Sequence, residues 1–192
     1  MKKNFKLLIT FFIFIAIGCT HEKVQTDYEY ETKDVEIVHE DFLLDGEILL
    51  PISKTKVPAV VIIPGSGPSD MDGNVGKQKP YKDIAKGLAK KGIASIRFNK
   101  ITYQYVKEVA KDVNFTIEDE YINDVLYAIL LLKGESKIDS KEIYLIGHSM
   151  GSQIVPIIIK RDPEIKGSII MAGTTMHILN LLLDHKMTNI HL

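Results

Sequence analysis

Gly147-His148-Ser149-Met150-Gly151 sets a serine hydroxyl between two glycines, directly after the apolar run Ile143-Tyr144-Leu145-Ile146. A strand that ends in Gly-x-Ser-x-Gly and passes into a helix holds its serine on a sharp turn, exposed for attack on an acyl carbon. Composition alone would produce the five-residue pattern in roughly one chain in fifteen of this length. Its placement between a strand and a helix is therefore what gives it weight. A serine there could also be a plain helix N-cap, but a cap does not need flanking glycines and a sharp elbow does. A serine hydroxyl is a weak nucleophile at neutral pH. It requires a base in hydrogen-bond reach, an acid to orient that base, and N–H donors aimed at the oxyanion that forms. The Met150 N–H is one natural donor. The glycines of Gly65-Ser66-Gly67, after an earlier strand, let a second stretch of backbone approach the substrate. A phosphate-binding reading of that loop fails, because Gly65-x-Gly67-x-x-Asp70 lacks the third glycine and no Gly-Lys-Ser/Thr follows.

The elements that must carry these groups follow from periodicity. Val35–Leu50 alternates and contains Asp45-Gly46, which predicts a β-hairpin turning there. Val57–Ile63 is an apolar strand stopped by Pro64-Gly65-Ser66-Gly67-Pro68. Tyr81–Lys91 reads as a helix closed by Gly92, and Ile93–Phe98 as the next strand. Thr116 is placed to cap a helix whose apolar face is Ile122, Val125, Leu126, Ile129 and Leu132, ending at Gly134. Ile143–Ile146 is a strand and Ser149–Arg161 a helix with Pro156 inside it, expected to kink it. Gly167–Met171 is a strand and His177–His185 a helical tail. After the opening hairpin, strands and helices alternate, which predicts an α/β fold: a doubly wound, mostly parallel sheet covered on both faces.

With 192 residues and 45% hydrophobic content the chain is sized for one domain with a real core. The formal charge of −1 gives no basic footprint, so nucleic acid is not an expected partner. Lys2, Lys3 and Lys6 precede the apolar run Leu7–Ile17, and Gly18-Cys19-Thr20 follows. The run covers about 16 Å as a helix, against ~30 Å of hydrocarbon, so a secretory signal is the better reading than a membrane span. Ala16-Ile17-Gly18-Cys19 resembles a bacterial lipobox, although leucine is commoner at its first position. The expected division is a lipoprotein signal peptide over 1–18, a polar tether over 19–34 and the folded domain over 35–192. Lipid on Cys19 would hold the mature chain on a bacterial membrane, outside the cytoplasm. Cys19 is the one cysteine, so no intrachain disulfide can form.

Three segments carry a wider resemblance: Pro64–Asn74, Tyr81–Lys100 (above all Gly92-Ile93-Ala94-Ser95-Ile96-Arg97-Phe98-Asn99-Lys100) and Gly147–Gly151. In this order they resemble the bacterial α/β-hydrolases of the serine aminopeptidase-like and dienelactone hydrolase-like group, over about residues 35–183. The resemblance implies Ser149 as nucleophile and the backbone N–H groups of Met150 and Ser66 as oxyanion donors. It also implies hydrolysis of a small acyl ester, with thioesters or amides as variants, and no metal or organic cofactor. The family order is Ser, then Asp or Glu, then His on later loops, and here the sequence departs from it. The last strands of the family are not found after Met171, so the domain reads as incomplete at its C-terminus. Asp162 lies at the far end of the helix that follows Ser149, about 18 Å away. His148 points away from the substrate side in such elbows and reads as a structural histidine. His177, after the last strand, is the one candidate stand-in base. Asp184 and His185 sit on the tail helix and do not face each other, and His191 lies near the end.

Asp70-x-Asp72-Gly73-Asn74 lacks the spacing of a calcium loop and reads as a hydrogen-bonded turn. Tyr103 and Tyr105 are candidate cleft walls. The expected function is a membrane-anchored serine hydrolase, a carboxylesterase, weak or inactive in this form. The alternative is a non-catalytic lipoprotein that uses the same scaffold for binding. An open sheet edge after Gly167–Met171 would favour a dimer across that edge.

Overall fold

The computed structural model describes residues 27–173. Its six strands are β1 (Tyr30–His39), β2 (Phe42–Pro51), β3 (Val57–Ile63), β4 (Ala94–Phe98), β5 (Ile138–His148) and β6 (Gly167–Met171). They form one sheet in the order β1-β2-β4-β3-β5-β6. β1 and β2 are antiparallel and β2 joins β4 antiparallel, whereas β4, β3, β5 and β6 run parallel. The helices are α1 (Pro80–Lys90), the short α2 (Ile101–Gln104) and α3 (Val106–Val109), α4 (Asn123–Gly134) and α5 (Met150–Arg161). A single π-turn, Glu118–Ile122, leads into α4.

β3 shows why the sheet is covered twice. Ala59, Val61 and Ile63 point into one buried cluster with Val125, Ile129, Leu132, Ile154 and Ile158 from α4 and α5. Val60 and Ile62 point the other way, into a cluster with Ala85 and Ala89 of α1. A strand buried on both faces must be apolar throughout, as Val57–Ile63 is. Among the described residues β6 has a partner on one side only, and Ile169 and Ile170 are half-exposed.

Several boundaries differ from the sequence expectation. The hairpin turns at Glu40-Asp41, between paired His39 and Phe42, and not at Asp45-Gly46. Gly46 is inside β2 for a tertiary reason: a Cβ there would meet Phe98 Cβ at 3.1 Å and Arg97 O at 3.2 Å. β1 begins at Tyr30, so the sheet starts ahead of Val35. β5 begins at Ile138, where it pairs with Val57 across an irregularity in the register. Thr116 does not cap through its own oxygen. Its N–H and hydroxyl both donate to Asp119 Oδ2, at 2.8 and 2.6 Å, half of a capping box. α5 continues through Pro156. The signal segment, Cys19, His177, the tail helix and His191 lie outside the described residues. No helix among the described residues is long and apolar enough to cross a membrane.

One buried pair ties the hairpin to α4. His39 Nδ1 donates to Asp124 Oδ1 at 2.6 Å, both side chains being buried. This hydrogen bond raises the His39 pKa against the opposing effect of burial. Burial also raises the Asp124 carboxyl. The folded state thus holds the imidazole proton more tightly than the unfolded chain does. The stabilisation is complete below the ordinary histidine value of about 6.5 and is lost as pH rises through the raised folded value. The urea midpoint should therefore fall as pH increases above about 6.5, and this part of the slope should vanish in His39→Gln.

Candidate active site

β3 and β5 are parallel neighbours, so both end at the same edge of the sheet. The loops leaving that edge meet: Gly65 and Ser66 after β3, Ser149 after β5. Ser149 has φ 52° and ψ −117°, a conformation that costs a non-glycine residue about 1–3 kcal/mol. Its surroundings hold it there. Its N–H donates to Met171 O at 2.9 Å, and the Ser152 hydroxyl donates to the Ser149 carbonyl. The flanking glycines are required by contact. A Cβ on Gly147 would lie 2.6 Å from Gly151 O, and one on Gly151 would lie 2.5 Å from both Ile63 O and Pro64 O. The chain thus turns from β5 into α5 pressed directly against the end of β3.

The turn opens into a cleft of about 520 Å³. Gly65, Ser66, Tyr81, Tyr103, His148 and Ser149 are among its walls, together with Asp70, Gly73, Asn74 and Val75 of the following loop. Met150 opens α5, so its N–H has no partner within the helix and lies at the positive end of the helix dipole. The Ser66 N–H makes no hydrogen bond to any described group. A Cβ on Gly65 would sit 3.3 Å from Ser149 Cβ, which shows how closely the two loops approach. Two N–H groups without a hydrogen-bond partner among the described residues, beside a serine on a strained turn, are an arrangement that can stabilise an oxyanion.

The Thermotoga maritima esterase EstD is 36% identical to this chain over 150 residues, which cover 73% of the chain and 34% of the esterase. The chain thus spans about a third of the length of this curated relative. A dienelactone hydrolase from Anabaena variabilis superposes with a TM-score of 0.59 at 17% identity, over 76% of this chain and 65% of its own. An acylaminoacyl peptidase from Pyrococcus horikoshii superposes with a TM-score of 0.60 at 23% identity, over 80% of this chain and 24% of its own. The chain has the α/β-hydrolase fold. No protein-family model matches it.

On this α/β-hydrolase scaffold the expected residues separate clearly. Ser149, the Met150 N–H and Ser66 come together. His148 does not approach as a base: the Tyr81 hydroxyl lies 2.9 Å from its Nδ1 and also accepts from the Gly65 N–H at 3.1 Å. Asp162 is held by Lys133 at 2.9 Å. Among the described residues, no histidine–carboxylate pair reaches Ser149, and no group of three or more metal-ligating side chains could hold an ion. Tyr103 lines the cleft, whereas Tyr105 packs on Phe42 and donates to Leu43 O. The Asp70–Asn74 segment is a hydrogen-bonded turn, with Asn74 N–H on Asp70 Oδ1 at 3.0 Å and Gly73 N–H on Asp70 O at 3.1 Å. The sequence reading missed Tyr81, Tyr121 and Lys100, which support the loop after β3 from below. The signal available was Lys100 itself, a charge at the end of an otherwise buried strand.

Proposed function

We propose that this chain is a serine hydrolase of the carboxylesterase type, in which Ser149 attacks an acyl carbon and carries the acyl group. The observation that supports this most directly is the strained Ser149 elbow, wedged by Gly147 and Gly151 against β3, beside two N–H groups that have no partner among the described residues. The Met150 and Ser66 N–H groups are the oxyanion donors in this reading, and the esterase named above favours an ester as substrate. His177 is the proposed base within this chain. The proposal includes a lipid on Cys19 that anchors the protein outside the cytoplasm, and association of two copies across the β6 edge.

With no base–acid pair on Ser149 among the described residues, turnover is expected to be slow. Incubation with 4-nitrophenyl butyrate should release about one equivalent of nitrophenol per chain, leaving a butyryl group on Ser149 that mass spectrometry locates. The Ser149→Ala variant should give neither. Equal release from both proteins would support the alternative, a scaffold that binds without covalent chemistry.

A further inference from the structure

Beneath the Gly65–Ser66 peptide lies a buried polar cluster that the elbow does not itself require. Lys100 follows β4 and is 1% exposed. Its ammonium is 2.6 Å from Glu120 Oε1 and donates to Tyr121 Oη at 2.7 Å, Gly67 O at 2.9 Å and Gly65 O at 3.3 Å. Tyr121, also buried, passes its own proton to Gly65 O at 2.6 Å. The Lys100 backbone N–H completes the hold on this loop by donating to Ser69 O at 3.0 Å. Burying an ammonium costs several kcal/mol before its partners compensate, and a methionine would fill the same space without that cost. Packing therefore does not account for a lysine here, but control of the loop does.

The geometry of one peptide unit supplies the link. All described peptides are trans, so the C=O of Gly65 and the N–H of Ser66 point in opposite directions. Tyr121 and Lys100 fix the carbonyl toward the interior, which turns the Ser66 N–H outward to the cleft that Ser66 and Ser149 line. Neither Lys100 nor Tyr121 is part of the cleft wall. Burial pushes the Tyr121 hydroxyl far up, so it stays a donor at any working pH. Burial pulls the Lys100 ammonium down, with Glu120 opposing that change.

We propose that Lys100 and Tyr121 are positioning residues that lock the Gly65–Ser66 peptide so that the Ser66 N–H faces the oxyanion formed on Ser149. The inference rests on Ser149 being the nucleophile, as proposed above. It predicts that removing the Tyr121 hydroxyl, which touches neither Ser149 nor the cleft, weakens tetrahedral adducts on Ser149.

The test is a titration of the full, 15N-labelled chain in detergent with phenylboronic acid, beside Tyr121→Phe, Lys100→Met and Ser149→Ala. Ser149 Oγ adds an electron pair to boron and its proton passes to water, giving a negatively charged tetrahedral boronate without any leaving group. The wild type should bind and Ser149→Ala should not. Tyr121→Phe should shift the Ser66 amide resonance before any ligand is added, because the nitrogen senses the hydrogen bond on the preceding carbonyl. It should leave the Met150 resonance in place and weaken boronate binding by about tenfold or more. Lys100→Met should do the same, with melting curves that stay cooperative.

Wild-type affinity and an unmoved Ser66 resonance in both variants would overturn the positioning role and leave the Ser149 reading standing. Loss of the cooperative melt in both variants would also overturn it, making the cluster a determinant of folding. No Ser149-dependent adduct in the wild type would overturn the Ser149 reading, and the inference would fall with it.

Discussion

Gly151→Ala is expected to destabilise the protein by roughly 3–5 kcal/mol, measured as a loss of unfolding free energy in urea. Helix propensity alone predicts the opposite sign, since alanine is favoured over glycine inside a helix by about 1 kcal/mol. Contact decides the sign. The new Cβ would lie 2.5 Å from the carbonyl oxygens of Ile63 and Pro64, both backbone atoms at the end of a central strand. These atoms cannot rotate away as a side chain could, so α5 must lift off β3 and carry Ser149 with it. Gly87 provides the contrast on the same scale. It lies within α1 and nothing stands within 4 Å of its would-be Cβ. Gly87→Ala should therefore stabilise the protein by about 0.5–1 kcal/mol. Opposite signs for the same substitution in two helices would establish that contact, not propensity, governs the elbow.

Arg97→Met should cost about 3–5 kcal/mol, through a different mechanism. Arg97 lies in β4 with 1% of its surface exposed. Its guanidinium donates to Glu47 Oε1 of β2 at 2.7 Å and stands 3.4 Å from Asp72 in the loop bordering the cleft. Methionine keeps much of the side-chain volume, so the cost comes from leaving two carboxylates without the cation that holds them. Lys79 still reaches Asp72 at 2.9 Å, but Glu47 has no other cation within ion-pairing distance among the described residues. Adding Glu47→Gln to Arg97→Met should therefore recover part of the loss, measured as a coupling energy in a double-mutant cycle. Additive losses would mean that the pair contributes no net stability.

The parts legible in the sequence were those set by short-range rules. The run Ile143–Ile146 ending in Gly-x-Ser-x-Gly states a strand, a turn and a helix within a few residues, and the structure places them so. Parallel alternation after β2 was readable because Val57–Ile63 is apolar on both faces and must be covered twice. The misreadings have tertiary causes. Asp45-Gly46 carries a turn signal, yet the reason for Gly46 is the approach of β4 across the sheet. The start of β5 falls on Ile138-Asp139-Ser140-Lys141, where no apolar run marks a strand, and pairing of Ile138 with Val57 draws it into the sheet.

The site was legible in the same uneven way. The turn at Ser149 and the Gly65-Ser66 loop could be placed from spacing, because neighbouring parallel strands end at one edge of the sheet, whereas the donor role of Ser66 was an expectation of the family resemblance. Of the cluster below that loop, only Lys100 left a local signal, and a weak one. A lysine reads as a surface residue, and Lys100 reaches partners 21 and 35 positions away that no local pattern connects. Tyr81 was hidden for the same reason: its bonds to Gly65 and His148 form only once α1 has packed on the sheet.

The central claim is that Ser149 is a nucleophile, and fluorophosphonate labelling of the purified chain, with peptide mass spectrometry, tests it most directly. The predicted result is slow labelling confined to Ser149 and absent from Ser149→Ala. An unlabelled protein that still melts cooperatively, or an adduct on any other residue, would contradict it.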